Sequence, residues 1–287
     1  MKINDSDMQK QFVNDGFYVF RNMLEPELID ELTRITDEVL DRQDEAHFER
    51  QRAPGSMVMI DWELAYRYDT IAKLITHPKL LKRLAQLGFA QPKFGHGRII
   101  SKPPHSPRLF WHEDGRFWDD PVSYTPQPIQ CFLMYYLVDT APENGCLRVI
   151  PGSHLKRHAL HDEVPERHTE KLSTYADPGH IAFQQAEGEI DVPLNAGDAV
   201  MGYGTLFHSA HANRTDRRRT GLTMWYYPDF VDLPEHTQAT VVSLETGTQI
   251  TKRSPGEMQR RMEPLRLVYD GDVEPIPQQW RPGANLR

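Results

Sequence analysis

The chain has 287 residues, 39% hydrophobic and 26% charged, with a net charge of −8 and a pI near 5.9. That length supports a sizeable core, and an acidic chain with no extended basic run is not built to neutralise a nucleic-acid backbone. Its longest apolar run, Cys131 to Val138, is far too short to cross a bilayer, the first seven residues lack a signal-like apolar stretch, and Cys131 and Cys146 read as buried thiols of a reducing, cytoplasmic setting.

In chain order, Asp5 to Asn14 reads as a capped helix, after which Asp15-Gly16 turns into the β-favouring Phe17-Tyr-Val-Phe20. Pro26 suits a first helical turn, and Leu28, Leu32, Ile35 and Val39 recur at helical spacing, leaving Glu31, Arg34, Asp37 and Glu38 for solvent. Residues 43–56 are polar and read as a loop, and Ser56 to Ile60 as a strand. Asp69–Ile75 and Pro78–Leu87 read as helices broken at His77-Pro78, because proline disfavours helix in the residue before it.

From Lys93 the pattern changes to short β-rich runs at 93–101, 108–114, 129–138, 145–150, 190–194, 198–204, 206–211 and 219–229, separated by turn residues. Such runs behind a helical part of about residues 1–90 predict one mainly β domain, a double-sheet jelly roll over 91–229. Residues 155–189 carry several histidines without apolar periodicity and are expected to form a lid loop. The remainder, 230–287, reads as a Pro-rich extension with a helix at Pro255–Met262.

The chemistry concentrates in Leu109-Phe-Trp-His112-Glu-Asp114-Gly-Arg-Phe-Trp118. In extended chain the side chains alternate faces, so His112 and Asp114 point the same way. Completed by a second histidine, they would form the two-histidine, one-carboxylate set that holds ferrous iron and leaves positions open. The pair alone is weak, since 13 His and 41 acidic residues in 287 give 13 × 41 / 287, or about two, His-x-acid triplets by chance, and four occur. His47-x-Glu49, His161-x-Glu163 and His168-x-Glu170 lie in charged or polar sequence, whereas His112-x-Asp114 is set among aromatics.

The other informative stretch runs from Gly204 to Trp225. Asn213-Arg-Thr-Asp216 has turn chemistry, so the flanking runs form a hairpin that can bring Arg219 beside His208. A guanidinium there would hold a carboxylate by two parallel hydrogen bonds that lysine cannot reproduce. His211, three residues beyond His208 on a strand, faces the other side. Arg217 and Arg218 read as solvated, and His154, His158 and His180 as turn or surface residues. Trp111, Phe117, Trp118, Tyr124 and Trp225 suit either a pocket wall or a core.

These motifs resemble the phytanoyl-CoA dioxygenase family of iron- and 2-oxoglutarate-dependent oxygenases. In that family the distal metal histidine precedes the cosubstrate arginine by eleven positions, with an Asn five after the histidine, as His208, Asn213 and Arg219 do here. Asn144-Gly145-Cys-Leu147, Pro151-Gly-Ser-His154, Lys102-Pro-Pro104 and Gly16-Phe-Tyr-Val19 also match, so the likeness spans about residues 5–228. It implies a cupin-like fold, with Fe(II) on His112, Asp114 and His208. It also implies 2-oxoglutarate on Arg219, O2 as oxidant, and hydroxylation of a C–H bond with release of succinate and CO2. Arg98 and Met134 fall at positions that line the family's cosubstrate pocket. Some members carry a Ser two after the distal histidine to contact 2-oxoglutarate; this chain has Ala210 there and Ser209 one position early. Relatives that halogenate have a small residue in place of the carboxylate, which Asp114 retains. A small-molecule substrate is expected, without nucleic-acid or membrane partners. Desaturation, epimerisation and ring closure remain alternative outcomes, and a non-catalytic cupin-like metal binder is the rival of another class.

Overall fold

The computed structural model describes residues 5–50, 56–60, 62–164, 168–245 and 256–287. Met1–Asn4, parts of the expected loop and lid at 51–55 and 165–167, and Pro255 of the expected C-terminal helix lie outside the described residues.

The N-terminal part holds helices α1 (Asp5–Asp15), α2 (Pro26–Asp41), α3 (Glu45–Arg50), α4 (Trp62–Arg67), α5 (Asp69–Ile75) and α6 (Pro78–Gln86). The strands are β1 (Phe17–Phe20), β2 (Ser56–Ile60), β3 (Lys93–Lys102), β4 (Cys131–Tyr136), β5 (Leu147–Val149), β6 (Ile190–Val192), β7 (Ala199–Tyr203), β8 (His208–Ala210) and β9 (Arg219–Tyr227). They form one sheet in the order β1-β7-β4-β9-β3-β2 and a second in the order β6-β5-β8, with every pair antiparallel. This is the mainly β, two-sheet architecture expected. The stripe Leu32, Ile35, Val39 and Leu40 of α2 joins α5, α6 and the larger sheet in one apolar core.

Four segments depart from the sequence reading. The turn at 213–216 joins no hairpin, because β8 pairs with β5 in the smaller sheet while β9 pairs with β3 and β4 in the larger. The polar stretch after Gln43 contains α3, because Asp44 Oδ1 accepts from the His47 N–H at its start and Glu45 sits in its first turn. Residues 108–114 are extended but form no ladder. The Leu109 and His112 amides donate to Ala210 and His208, that of Trp111 to Ala182, and that of Asp114 to Gly204, so the bonds go to three different segments. Only the bridge between His112 and His208 remains. Residues 155–189 contain α7 (Leu160–Glu163) and α8 (Glu170–Ser173), and Leu160, Val164, Leu172 and Phe183 bury against Phe110, Trp111 and Phe207. The lid is therefore a packed cover whose apolar anchors are too irregularly spaced to show periodicity.

His154 is a correction. It is buried, its Nε2 bonds Val13 O at 2.9 Å, and its ring lies where a Cβ on Gly16, at φ +82°, would stand. Burial pushes its pKa down to about 4, against the opposing backbone bond. The folded protein thus binds fewer protons at His154 than the unfolded chain between about pH 6.5 and 4. Stability from this residue is present above pH 6.5 and is lost on acidification, by on the order of 3 kcal/mol at the lower limit. We expect urea midpoints of the metal-free protein to fall less between pH 7 and 4.5 in His154→Gln than in the parent; parallel curves would refute the assignment.

The C-terminal stretch adds α9 (Glu235–Leu244) and α10 (Gly256–Met262) and then returns to the jelly roll, where Gln279 bridges Phe117. No helix among the described residues is long and apolar enough to cross a membrane.

Candidate metal and cosubstrate site

The bridge between His112 and His208 assembles the site. Each residue donates its N–H to the other's carbonyl, at 3.1 and 3.0 Å, so the two side chains project to one face with ring centroids 4.1 Å apart. His112 Nδ1 lies 3.0 Å from Phe110 O, and His208 Nδ1 lies 3.0 Å from Leu206 O. A carbonyl can only accept, so both histidines carry the proton on Nδ1 and turn a lone pair on Nε2 into the cavity. Those Nε2 atoms stand 3.7 and 3.6 Å from the two oxygens of Asp114.

Electrostatics favour ligand-ready states. Burial, with His208 and His168 nearby, holds the His112 pKa well below its usual value. Burial works to raise that of Asp114, but His208, His112 and His168 and the Trp225 N–H outweigh it and leave the carboxyl lowered. Trp225 Nε1 donates to Asp114 Oδ2 at 2.7 Å, and its indole is stacked on His96, which is fixed in turn by Glu245. This chain of contacts orients the carboxylate. Behind His208, β7 passes so close to the Phe132 ring that a Cβ on Gly202 would overlap it, and that ring lies 4.6 Å from His208. The intervening Glu113 points to the opposite side, where it meets the buried His161 of the lid at 3.4 Å.

Arg219 opens β9 opposite Lys102 and is buried, with its guanidinium 5.4 Å from the Tyr136 ring centre. Its Nε has no hydrogen-bond partner, and it makes no ion pair among the described residues. Lys102 cannot substitute for it, because its Nζ donates to Pro107 O at 2.6 Å. A buried guanidinium without an anion is costly, so this pocket end fits the far carboxylate of a dicarboxylate.

Arg98 and Met134 line the same cavity, of about 460 Å³, which also holds His112, Asp114, His208 and Arg219. Ser209 lines it too, with its hydroxyl committed elsewhere. That hydroxyl donates to Leu109 O and accepts from Arg148, on the strand face opposite His208. His211 shares that outer face and pairs with Asp191 at 2.6 Å. Arg217 is exposed, while Arg218 leaves the solvated role for ion pairs with Asp37 and Asp41 of α2. Phe117 and Trp118 belong to the core, and Trp225 lines the cavity.

Among the cavity residues that escaped the sequence reading, His168, Arg116 and Trp280 bear most on the chemistry. His168, from the lid, brings a ligand atom within 4.8 Å of those of His112 and Asp114. Its Nε2 donates to Glu113 O at 3.1 Å, which leaves Nδ1 as its lone-pair atom. Its polar setting made it look like chance; Trp280 lies 168 positions from His112 and carries no local signal.

The family model of phytanoyl-CoA dioxygenase (PhyH) matches residues 12–221. The chain belongs to this family. The membership makes it an iron- and 2-oxoglutarate-dependent dioxygenase, and the His-Asp-His frame with its unpaired arginine fits both groups. Ectoine dioxygenase of Bordetella parapertussis is 25% identical over 236 residues, covering 77% of this chain and 74% of that one. A probable phytanoyl-CoA dioxygenase of Caenorhabditis elegans is 27% identical over 51% of this chain and 47% of its own. Among solved structures, the non-heme alpha ketoglutarate dependent epimerase SnoN from nogalamycin biosynthesis superposes with a TM-score of 0.58 at 22% identity, over 78% of this chain and 82% of that one. EctD from S. alaskensis, solved with 2-oxoglutarate and 5-hydroxyectoine, gives 0.54 at 19% over 76% and 74%. At these identities the structural likeness establishes the fold that this PhyH member shares with them.

Proposed function

We propose that His112, Asp114 and His208 hold the iron, that Arg219 anchors the far carboxylate of 2-oxoglutarate, and that the enzyme hydroxylates a C–H bond of a small organic molecule. The observation that carries this reading is the coincidence, in one cavity, of two buried histidines with Nε2 free to ligate, a carboxylate between them, and a guanidinium without an anion. When bound, iron and cosubstrate supply the oxidising power for C–H chemistry, with succinate and CO2 as coproducts.

The chain's own residues prepare that chemistry. The Phe110 and Leu206 carbonyls fix the imidazole tautomers, and the Trp225 N–H holds one carboxylate oxygen. Met134 and Thr223, paired across β4 and β9, form part of the cavity wall onto which Arg219 also opens, and the lid packs its apolar residues over Phe110 and Trp111. A structural zinc site would normally close with four protein ligands from rigid elements, whereas here the fourth candidate, His168, hangs from the lid. Anaerobic addition of Fe(II) and 2-oxoglutarate should produce the visible charge-transfer band of the chelate; iron uptake without that band would support an inert metal binder instead.

Asp114 also bears on the outcome of the reaction. As a ligand it occupies the position that a halide would need, and displacing it would strand a nearly buried carboxylate on a single Trp225 hydrogen bond. Turnover with excess chloride or bromide should therefore give oxygenated products without halogen, as read by mass. Halogenated product in comparable yield would remove Asp114 from the ligand set.

A further inference from the structure

Arg219 is not the only guanidinium in the cavity. Arg98 stands on β3 opposite Thr223, four residues along the sheet from the Lys102–Arg219 pair, or about 13 Å at strand rise. Its contact is one weak bond to Met57 Sδ at 3.8 Å, and its Nε is buried without a hydrogen bond. Arg116 follows Asp114 by two residues, donates to Gln278 Oε1 at 3.1 Å and stacks 5.4 Å from the Trp280 ring centre; its Nε is likewise buried and without a partner.

Neither arginine has an ion pair among the described residues. The carboxylates near them are engaged elsewhere, Asp114 in the iron set and Glu245 with His96 and the Tyr227 hydroxyl. Arg98 feels the result: burial lowers its pKa, Asp114 pulls it back up, and Arg116 pushes it down again. Two like charges sharing a half-buried wall are destabilising unless an anion joins them.

We propose that Arg98 and Arg116 form an oxyanion-binding end of the substrate pocket, and that the substrate is a small molecule bearing a carboxylate or phosphate on an apolar body. This rests on the iron and cosubstrate reading above. Two planar forks hold an oxyanion more strongly than a neutral acceptor, because the hydrogen bonds are charge-assisted and can be bidentate. Met57, Ile100 and Trp280 supply the apolar surface for the body, and about 460 Å³ accommodates it beside the cosubstrate. An anion held at this end is kept apart from the one on Arg219, so substrate and 2-oxoglutarate do not compete for one arginine.

The test uses the full chain, anaerobic, with Fe(II) and saturating 2-oxoglutarate, so that Arg219 is occupied. Absence of the chelate band at this stage would refute the iron and cosubstrate reading itself. With the band established, 3-phenylpropanoate, its amide and 2-phenylethyl phosphate are titrated in, following perturbation of the band and the melting temperature. The expected result is at least about tenfold tighter binding of an anionic probe than of the amide, with the better anion naming the group. Arg98→Gln combined with Arg116→Gln should erase that preference while the midpoint for 2-oxoglutarate stays put. Equal binding of amide and anions, no perturbation by either anion, or a preference that survives the double substitution would overturn the proposal. So would a 2-oxoglutarate midpoint weakened by Arg98→Gln as strongly as by Arg219→Lys, which would give Arg98 to the cosubstrate. If the double variant fails to fold, Arg116→Gln alone decides: a reduced anion preference supports the pair, and an unchanged one refutes it.

Discussion

His208→Ala should abolish the anaerobic chelate band at stoichiometric iron, whereas His211→Ala should leave it intact. His208 lies directly across the bridge from His112, with Nδ1 tied to Leu206 O and Nε2 3.6 Å from Asp114. Removing one of three ligands should lower iron affinity by about a hundredfold or more, since even the partners that merely orient ligands are worth about 10- to 100-fold. His211 points out of the other face of β8's extension, toward Asp191, and its loss costs a half-exposed ion pair. Because His208 packs against Phe132, the variant's melting curve must accompany the titration, so that lost iron is not mistaken for lost fold. Retention of the band in His208→Ala would hand the third ligand to His168, whose ligand atom already stands near those of His112 and Asp114.

The contrast between His208 and His168 marks how far the sequence could be read. The placing of His208 in the cavity with Arg219 was legible through their spacing about Asn213, although no hairpin forms: β8 pairs with β5 in the smaller sheet and β9 with β3 and β4 in the larger, so the local turn carries the chain from one sheet to the other. Asn213 closes that turn with bonds to the Lys102, Pro103 and Arg217 carbonyls, which is why its spacing is informative. His112 and Asp114 were legible through alternation, although their segment forms no ladder; extended backbone alone sets that alternation. His168, Arg116 and Trp280 reach the cavity through the lid and the returning C-terminal chain, contacts made by tertiary packing that leave no period in the sequence. Ser209 reaches the cavity lining, but its hydroxyl is taken up by Arg148 and Leu109 O. His154 looked like a turn residue because Pro151-Gly152-Ser153 precedes it, yet the turn folds it under Gly16.

Arg219→Lys should raise the apparent KM for 2-oxoglutarate by roughly 10- to 100-fold, the loss of one hydrogen bond to a charged group at about 1.5–3 kcal/mol. Iron affinity, measured by anaerobic titration without cosubstrate, should be nearly unchanged. Lysine keeps the charge but presents one compact ammonium in place of a flat fork, and it cannot lie against Tyr136 as the guanidinium does. No neighbour can make up the difference, because Lys102 is committed to Pro107 O. Arg218→Lys is the control: its partners Asp37 and Asp41 are well exposed and accept a lysine as readily, so the KM should not move. Equal harm from the two substitutions, or an effect confined to Arg218, would break the register in which Arg219 faces Lys102 and opens onto the cavity. The cosubstrate anchor would then have to be sought elsewhere on the cavity wall, with Arg98 the next guanidinium along the sheet.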